Sequence, residues 1–489
     1  MARDSVAASI GYQVVDLVLG RVVTAALSIF IARLLSPNDY GVVAIVSVFI
    51  SLSEVIVQSG LSLSLVQKKE VDSLDYSTVF ILSWFFSVIV YFLLYAISPF
   101  VAEVYAMPSL VLLIRVQGVA VFAAPINSVA TAYAKRTMSF KQLTVSHLLS
   151  SMASSVFAVI LAYKGFGVWA LVIQAISQRL LSAILLLAFV KWKPSLMFSA
   201  PRARPLLSFG CKSLFSDILN QLFSQVSTLV IGGIFSRDSL AFYQQGSTYP
   251  RTIVESMNNA VQNVIIVPMS RAVGRNDVII SYCRKANSML ALVVAPAMFG
   301  LAAISPTLVP VLLTDNWSSL APYLAAFSVL YSFYPLLSSG YQVLMALGKS
   351  GLYLRFNVLS KSFSMVSLFL AVFIFRNPLA IVIINIAGNL VLLIVNAILI
   401  ERNIAYTARA QIKDVAVYYI VAAIMAAVVY VLNFVPLVIE PVRLLIQLIV
   451  GAVVYTLIMA LLKPPAYQHA LEKLRSVFAG MRKMGRLEK

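Results

Sequence analysis

Charge is scarce in this 489-residue chain. Asp, Glu, Lys and Arg make up 11% of it, where a soluble domain keeps roughly 25% to cover its surface. A sizeable water-soluble fold is thereby excluded, and most of the surface must meet lipid. Cysteine is almost absent. Cys211 and Cys283 fall on the same predicted face of the membrane, the cytoplasmic one, so free thiols and no disulfide are expected. The two histidines, His147 and His469, stand alone. A metal site needs several converging ligands, so no metal or other cofactor is expected. No Asp-x-Asp pair marks a metal–nucleotide site. A cleavable leader is also not expected. The first apolar run carries Asp16 and Arg21 and continues to about Leu35, whereas a signal peptide has a short, uncharged apolar core.

What the chain has in abundance is apolar sequence: 61% hydrophobic residues and a mean hydropathy of +0.93. A spanning helix needs about 20 apolar residues. Fourteen segments qualify: 10–34, 39–59, 78–98, 109–131, 142–162, 166–190, 207–234, 239–268, 283–304, 319–347, 354–376, 378–400, 415–435 and 442–462. The expected fold is therefore an all-α integral membrane protein. The eighth segment is the most polar, being interrupted by Arg251, Glu255 and Asn258–Asn259.

Lys and Arg in short loops orient such a chain, with the excess on the cytoplasmic side. Placing the N-terminus in the cytoplasm puts 26 of the 37 basic residues in inside segments and 5 in outside loops. Both termini are then cytoplasmic, in a multi-pass protein of the cell membrane. The net charge of +19 is thus a topology signal and calls for no nucleic acid. The tail over 463–489 carries Leu471, Leu474, Val477, Phe478 and Met481 at helical spacing among basic residues. It reads as an amphipathic helix on anionic lipid.

The two halves resemble each other. Helix 1 carries Gln13, Asp16, Arg21 and Thr24 on one polar stripe, and helix 7 carries Asp217, Asn220, Gln221 and Gln225 on another. The turn Leu35–Tyr40 after the first matches Phe235–Leu240 after the second. Six helices per repeat gives two lobes in a parallel pseudo-symmetric repeat, a transporter layout with substrate between the halves. The predicted divisions are 1–190 and 207–400 for the lobes, 191–206 for a cytoplasmic linker, 401–462 for two additional helices and 463–489 for the tail.

Ionisable side chains inside a membrane are costly and so mark function by default. The cations are Arg21, Arg115, Arg179, Arg251 and Lys361; the anions are Asp16, Glu54, Asp217 and Glu255. Bland readings compete. Arg251 and Glu255, four apart, can pair on one helix face, and Arg115 and Lys361 can snorkel to the surface. Arg21 and Arg179 are near mid-helix, which favours a cavity lining. An arginine surplus suits an anionic cargo, because guanidinium binds phosphate oxygens bidentately; a diphosphate fits. The stripe residues Gln13, Thr24, Asn220, Gln221 and Gln225 suit an uncharged sugar.

Several stretches, in order along the chain, carry a family likeness. They include Ala32-Arg33-Leu34-Leu35-Ser36-Pro37-Asn38-Asp39-Tyr40-Gly41, Leu65-Val66-Gln67-Lys68-Lys69, Gly165-Phe166-Gly167-Val168-Trp169-Ala170, Val267-Pro268-Met269-Ser270-Arg271 and Ala346-Leu347-Gly348-Lys349-Ser350. Here the chain resembles bacterial polysaccharide flippases of the multidrug/oligosaccharidyl-lipid/polysaccharide exporter superfamily, in the branch of colanic-acid-type exporters. The resemblance implies two six-helix lobes around a cavity, with two extra helices. It also implies an oligosaccharide cargo on undecaprenyl diphosphate, moved to the outer leaflet by alternating access for surface polysaccharide synthesis. Membrane lipids are implied partners, and a polysaccharide polymerase with its export machinery is a candidate one. Arg21, Arg179 and Arg251 would hold the diphosphate, with Arg115 and Lys361 as further candidates. Proton or sodium coupling, if present, would act through Asp16 or Asp217, with Glu54 and Glu255 as further candidates. Two rivals stand beside this reading: a drug or organic-cation exporter on the same fold, and a membrane-embedded glycosyltransferase or polymerase. The second needs a placed acid–base pair, which the sequence does not offer, so no enzyme is expected.

Overall fold

The computed structural model describes residues 23–58, 61–68, 70–190, 192–272, 274–435 and 439–472. Gln13, Asp16, Arg21 and the basic tail beyond Glu472 lie outside them. Among the described residues there is no strand. Eleven helices are long and apolar enough to cross a membrane, and three further helices occupy the remaining predicted spans.

In chain order, α1 is Val23–Leu34, α2 Pro37–Gln58, α3 Leu61–Gln67, α4 Ser73–Val104, α5 Ser109–Arg136, α6 Phe140–Tyr163 and α7 Val168–Phe189. Then follow α8, Ala200–Ile234, and α9, Arg237–Arg271. The last six are α10 Asn276–Leu312, α11 Leu320–Ala346, α12 Gly351–Phe375, α13 Pro378–Ile404, α14 Ala408–Phe434 and α15 Glu440–Leu462. The chain divides into two units, Met1–Ala241 and Phe242–Lys489.

Helix ends follow local chemistry. Ser36 and Asp39 cap α2 reciprocally: the Asp39 amide donates to Ser36 Oγ at 3.3 Å and the Ser36 amide to Asp39 Oδ2 at 3.1 Å. The matching turn before α9 repeats the device, with the Ser239 amide donating to Ser236 Oγ at 3.2 Å. Each serine satisfies an amide that the first helical turn leaves without an intrahelical partner. The two turns also touch. A Cβ at Gly41 would strike the carbonyl oxygen of Arg237, so backbone meets backbone at that point. Asp72 and Asp75 form a capping box on α4. Asn377, followed by Pro378, caps α13 through the Leu379 amide at 2.9 Å.

In the first unit, α4 shows what lipid exposure looks like. Only 22% of its most apolar window is buried, and Trp84, Phe85, Phe92, Leu93 and Phe100 point outward at helical spacing. α5 is the opposite case, with 56% buried. Small hydroxylated residues line the helix contacts: α6 buries Ser146, Ser150, Ser154, Ala158 and Ala162, one every four residues, and packs on α7. Small side chains let backbones approach closely where the hydrophobic effect supplies no drive between helices. α8 lies along α2, where Gln221 Nε2 donates to Ser51 Oγ at 2.9 Å.

The second unit is richer in aromatic packing. Phe242 meets Trp317 edge-on at 6.1 Å, and Tyr243 meets Phe327 at 5.0 Å. Phe333 and Tyr419 stack at 5.5 Å, with the Tyr419 hydroxyl donating to the Ser332 carbonyl at 2.6 Å. α14 and α15 pack on α10 through Ala291, Ala295, Met425, Tyr455 and Met459. Cys283 is buried and is a free thiol.

Candidate functional site

Between α2, α3, α5, α6 and α7 of the first unit lies a cavity of about 520 Å³. Each wall helix offers residues three or four positions apart, which share a face. α5 contributes the longest stripe. Its helix is reset by a 3-10 turn over Val119–Ala123, and Pro125 stands at the new N-terminus, where its missing N–H is not needed. Below that reset, Asn127, Thr131 and Lys135 descend one face at four-residue spacing, with Ser128 beside them. Ala120 and Ala124, above them, are too small to fill the volume. α7 contributes Gln178, Arg179 and Ser182; α2 contributes Glu54 and Gln58.

The interior is polar and internally bonded. Arg179 Nε makes an ion pair with Glu54 Oε1, and Arg179 Nη1 donates to the Ala175 carbonyl at 3.1 Å. Asn127 Nδ2 donates to the Arg179 carbonyl at 3.1 Å. Ser182 Oγ lies 3.3 Å from His147 Nδ1, and both side chains line the cavity. Lys135, exposed at the end of its stripe, forms no ion pair among the described residues. Two buried polar atoms, Asn127 Oδ1 and Ser128 Oγ, have no hydrogen-bond partner among the described residues.

The α3 side of the cavity, formed by Ser62 and Val66, is pinned by charge. Arg136 Nη1 donates to the carbonyls of Leu65 at 2.9 Å and Lys68 at 2.5 Å, closing the C-terminal end of α3. Lys68 Nζ then meets Asp75 Oδ2 at 2.7 Å, and Arg202 Nη1 meets Asp72 Oδ2 at 2.5 Å. The hydrogen bond from Arg202 holds the Asp72 carboxyl below its ordinary range.

Of the residues singled out from sequence, the structure brings two together, Glu54 and Arg179, on facing walls of this cavity. Arg115 lies twenty positions before Lys135 on α5, about 30 Å away at 1.5 Å per residue. Its guanidinium sits 3.7 Å over the Tyr95 ring and its Nε donates to Ser98 Oγ at 3.0 Å. Arg251 and Glu255, both exposed on α9, form no ion pair among the described residues. Lys361 is half-buried on α12, Asp217 half-buried and Asn220 exposed on α8, and Thr24 half-buried on α1. Gln221 is engaged with Ser51, and Gln225 Oε1 accepts from Thr228 at 3.3 Å. Lys135, Asn127 and Ser128 escaped the sequence reading. Lys135 counts as an ordinary loop charge, and single Asn and Ser residues carry no signal until the reset of α5 aligns them.

Solved structures share this architecture. The lipid II flippase MurJ, in an inward-closed conformation, matches with a TM-score of 0.70 and 15% identity, over 92% of this chain and 98% of that one. An inward-facing multidrug resistance MATE family transporter of the MOP superfamily matches with a TM-score of 0.58 and 14% identity, over 79% and 94%. The chain therefore shares the fold of these two proteins. Within that class the sequence is more specific. The model of the family described as "Polysaccharide biosynthesis protein" matches residues 30–322, and the chain belongs to that family. The teichuronic acid biosynthesis protein TuaB of Bacillus subtilis is 24% identical over 302 residues, 61% of this chain and 62% of that protein. The lipopolysaccharide biosynthesis protein WzxC of Escherichia coli is 23% identical over 334 residues, 67% of each. The chain thus aligns with less than two thirds of the Bacillus protein's length.

Proposed function

We propose that this protein is a flippase that carries oligosaccharides linked to undecaprenyl diphosphate from the cytoplasmic to the outer leaflet of the cell membrane. The observation that carries the reading is the cavity itself: a hydrophilic, cation-bearing space in a chain whose helices otherwise face lipid. Ionisable groups at such a place mark a substrate pathway. Membership of a polysaccharide biosynthesis family supports a glycan cargo, as does the likeness to a succinoglycan biosynthesis transport protein of Rhizobium meliloti, 24% identical over 294 residues. The likeness in fold to MurJ, a lipid II flippase, supports a lipid-linked one.

In this reading both termini are cytoplasmic, and the lipid tail stays in the bilayer while the polar head crosses. Arg251, Lys361 and Arg21 are the proposed diphosphate contacts of other helices, and Asp16 and Asp217 the proposed points of ion coupling. A polysaccharide polymerase is a proposed partner downstream. Drug export on the same fold asks for an apolar lining rich in Phe, Tyr or Trp; none of these three is among the cavity residues.

The test is deletion and return of the gene in the source organism. Loss of surface polysaccharide with accumulation of lipid-linked units, reversed by the intact chain, is the expected result. Unchanged polysaccharide and no accumulation would move the function to drug export.

A further inference from the structure

We infer that Arg115, with Ser98 and Tyr95, forms a phospholipid site on the lipid-facing side of the first unit. The guanidinium takes the phosphate of an anionic phospholipid, and the seam between α4 and α5 takes one of its acyl chains. The site lies outside the cavity and gives Arg115 to a resident lipid instead of the cargo diphosphate. It depends on the flippase reading for one point alone, that the leaflet concerned is the outer one.

A charge held inside a bilayer is costly unless something meets it. Arg115 forms no ion pair among the described residues. α5 carries no acid, and α4 carries two. Asp75, near the opposite end of α4, is paired with Lys68 at 2.7 Å. Glu103 lies five positions, about 8 Å, outward of Ser98. Nor does the arginine snorkel to the surface. Its Nε donates to Ser98 Oγ at 3.0 Å, its Nη2 reaches the Tyr95 carbonyl at 3.5 Å, and its guanidinium lies 3.7 Å over the Tyr95 ring. Tyr95 is eight positions, about 12 Å, inward of Glu103. The cation is thus fixed below the helix ends by neutral neighbours.

The part of the guanidinium left over is accessible. Arg115 Nη1 meets no acceptor among the described residues and is not buried. Arg115 shares its face of α5 with Leu112 and Val119, both exposed, and Tyr95 beside it is exposed too. An acceptor for Nη1 therefore comes from the lipid. Among lipid groups, a phosphate matches a guanidinium in both charge and geometry. A headgroup with no cation of its own is favoured, because the ammonium of a zwitterionic lipid competes for the same phosphate.

Below the cation the seam turns apolar. Val119 and Phe122 follow Arg115 at four and seven positions, on the same face. Across the seam Phe122 meets Tyr91 at 5.1 Å and Trp84 at 6.1 Å. Phe122 is about 10 Å further into the membrane than Arg115. A cation near the helix ends, with an aromatic track running inward from it, has the polarity of one lipid molecule, head above and chain below. The second unit shows that the helix frame does not require the charge. With Pro335 of α11 set against Pro125 of α5, the position of Arg115 falls on Ala325.

The experiment titrates the full chain in detergent with phosphatidylglycerol or phosphatidylcholine of identical acyl chains and counts bound lipids by native mass spectrometry. The intact chain is expected to hold one phosphatidylglycerol about tenfold more tightly than phosphatidylcholine, the scale of one hydrogen bond to a charged group. Basic surfaces elsewhere bind anionic lipid as well, so the difference between the intact chain and Arg115→Gln is what decides. That variant should hold one phosphatidylglycerol fewer. Ser98→Ala, which keeps the charge but frees it, should weaken this lipid without removing it, and Phe122→Ala should weaken both lipids alike. An equal count of tightly held phosphatidylglycerol in the intact chain and Arg115→Gln overturns the site. A third probe, undecaprenyl diphosphate, separates the two lipid sources. If Arg115→Gln weakens it and leaves phosphatidylglycerol untouched, the arginine belongs to the cargo path and the phospholipid assignment falls. The deletion strain is read independently of these counts, so either reading can fail while the other stands.

Discussion

α5 and α11 are the same device with different contents. Each is broken once and restarted with a proline on its new first turn, Pro125 and Pro335. Each closes the same way, on a left-handed residue: Met138 at φ 55° after α5 and Gly348 at φ 71° after α11. The Ser139 amide returns to the Ala134 carbonyl at 2.8 Å, and the Lys349 amide to the Leu344 carbonyl at 2.9 Å. What differs is the stripe between. In α5 it is Asn127, Thr131 and Lys135, facing open volume; in α11 it is Leu337, Tyr341 and Met345, with Leu337 buried against Phe356 and Leu392. The same backbone frame thus carries a polar stripe on a cavity wall in α5 and an apolar stripe with a packed Leu337 in α11.

That comparison can be broken from either side. The largest effect is expected from Leu337→Asn, which puts the α5 chemistry into the filled frame. Burying an amide without partners there should cost about 2–4 kcal/mol, seen as a lowered thermal midpoint in detergent. Asn127→Leu, the reverse exchange, should cost less, about 1 kcal/mol, for the one hydrogen bond that its Nδ2 donates to the Arg179 carbonyl. Equal losses from the two would mean the stripes are equivalent. Next comes Arg179→Ala, which strands Glu54. Both side chains keep part of their exposure, 28% and 22%, so the loss should be about 1–2 kcal/mol, below that of a fully buried pair. The double variant with Glu54→Ala should recover part of it, and simple additivity would show the pair to be uncoupled.

Met138 sharpens the comparison of the two caps. A residue with a Cβ in the left-handed region costs about 1–2 kcal/mol, and Met138 is 74% exposed, so little packing is lost with it. Met138→Gly should therefore raise the thermal midpoint, and Gly348→Met should lower it. The smallest effect concerns Asp72. Its carboxyl titrates below the ordinary value because Arg202 is hydrogen-bonded to it. Its contribution is complete above the unfolded value near 3.8 and fades as pH falls through the lowered one. Asp72→Asn should therefore lower stability slightly at neutral pH and make no difference below the lowered value, flattening the acid end of the stability profile.

Hydropathy alone located the eleven helices that are long and apolar enough to span, because a span must bury about 20 apolar residues whatever it packs against. Its limits show at the ends. α8 starts at Ala200, seven residues before the apolar run, since Arg202 and Arg204 continue the helix into water. α3 hides in a stretch that reads as a loop, being seven residues long and held by Arg136. Within the site, Arg179 was legible because a mid-span arginine has few bland explanations. Glu54 was legible for the same reason, but its pairing with Arg179 was not, since that depends on how α2 and α7 are turned toward each other. Asn127 and Ser128 were invisible for another reason: an uninterrupted α5 would turn them to a different face, and no periodicity announces the 3-10 reset.

The backbone contact between Gly41 and the Arg237 carbonyl has a consequence at the level of the gene. Every amino-acid change that one nucleotide can make in a glycine codon adds a Cβ, and here that atom would land on main chain rather than on a yielding side chain. Position 41 therefore has no small step available to it. The capping residues of the two turns can exchange with other short polar side chains, whereas this glycine can change only if the path of the opposite turn changes with it.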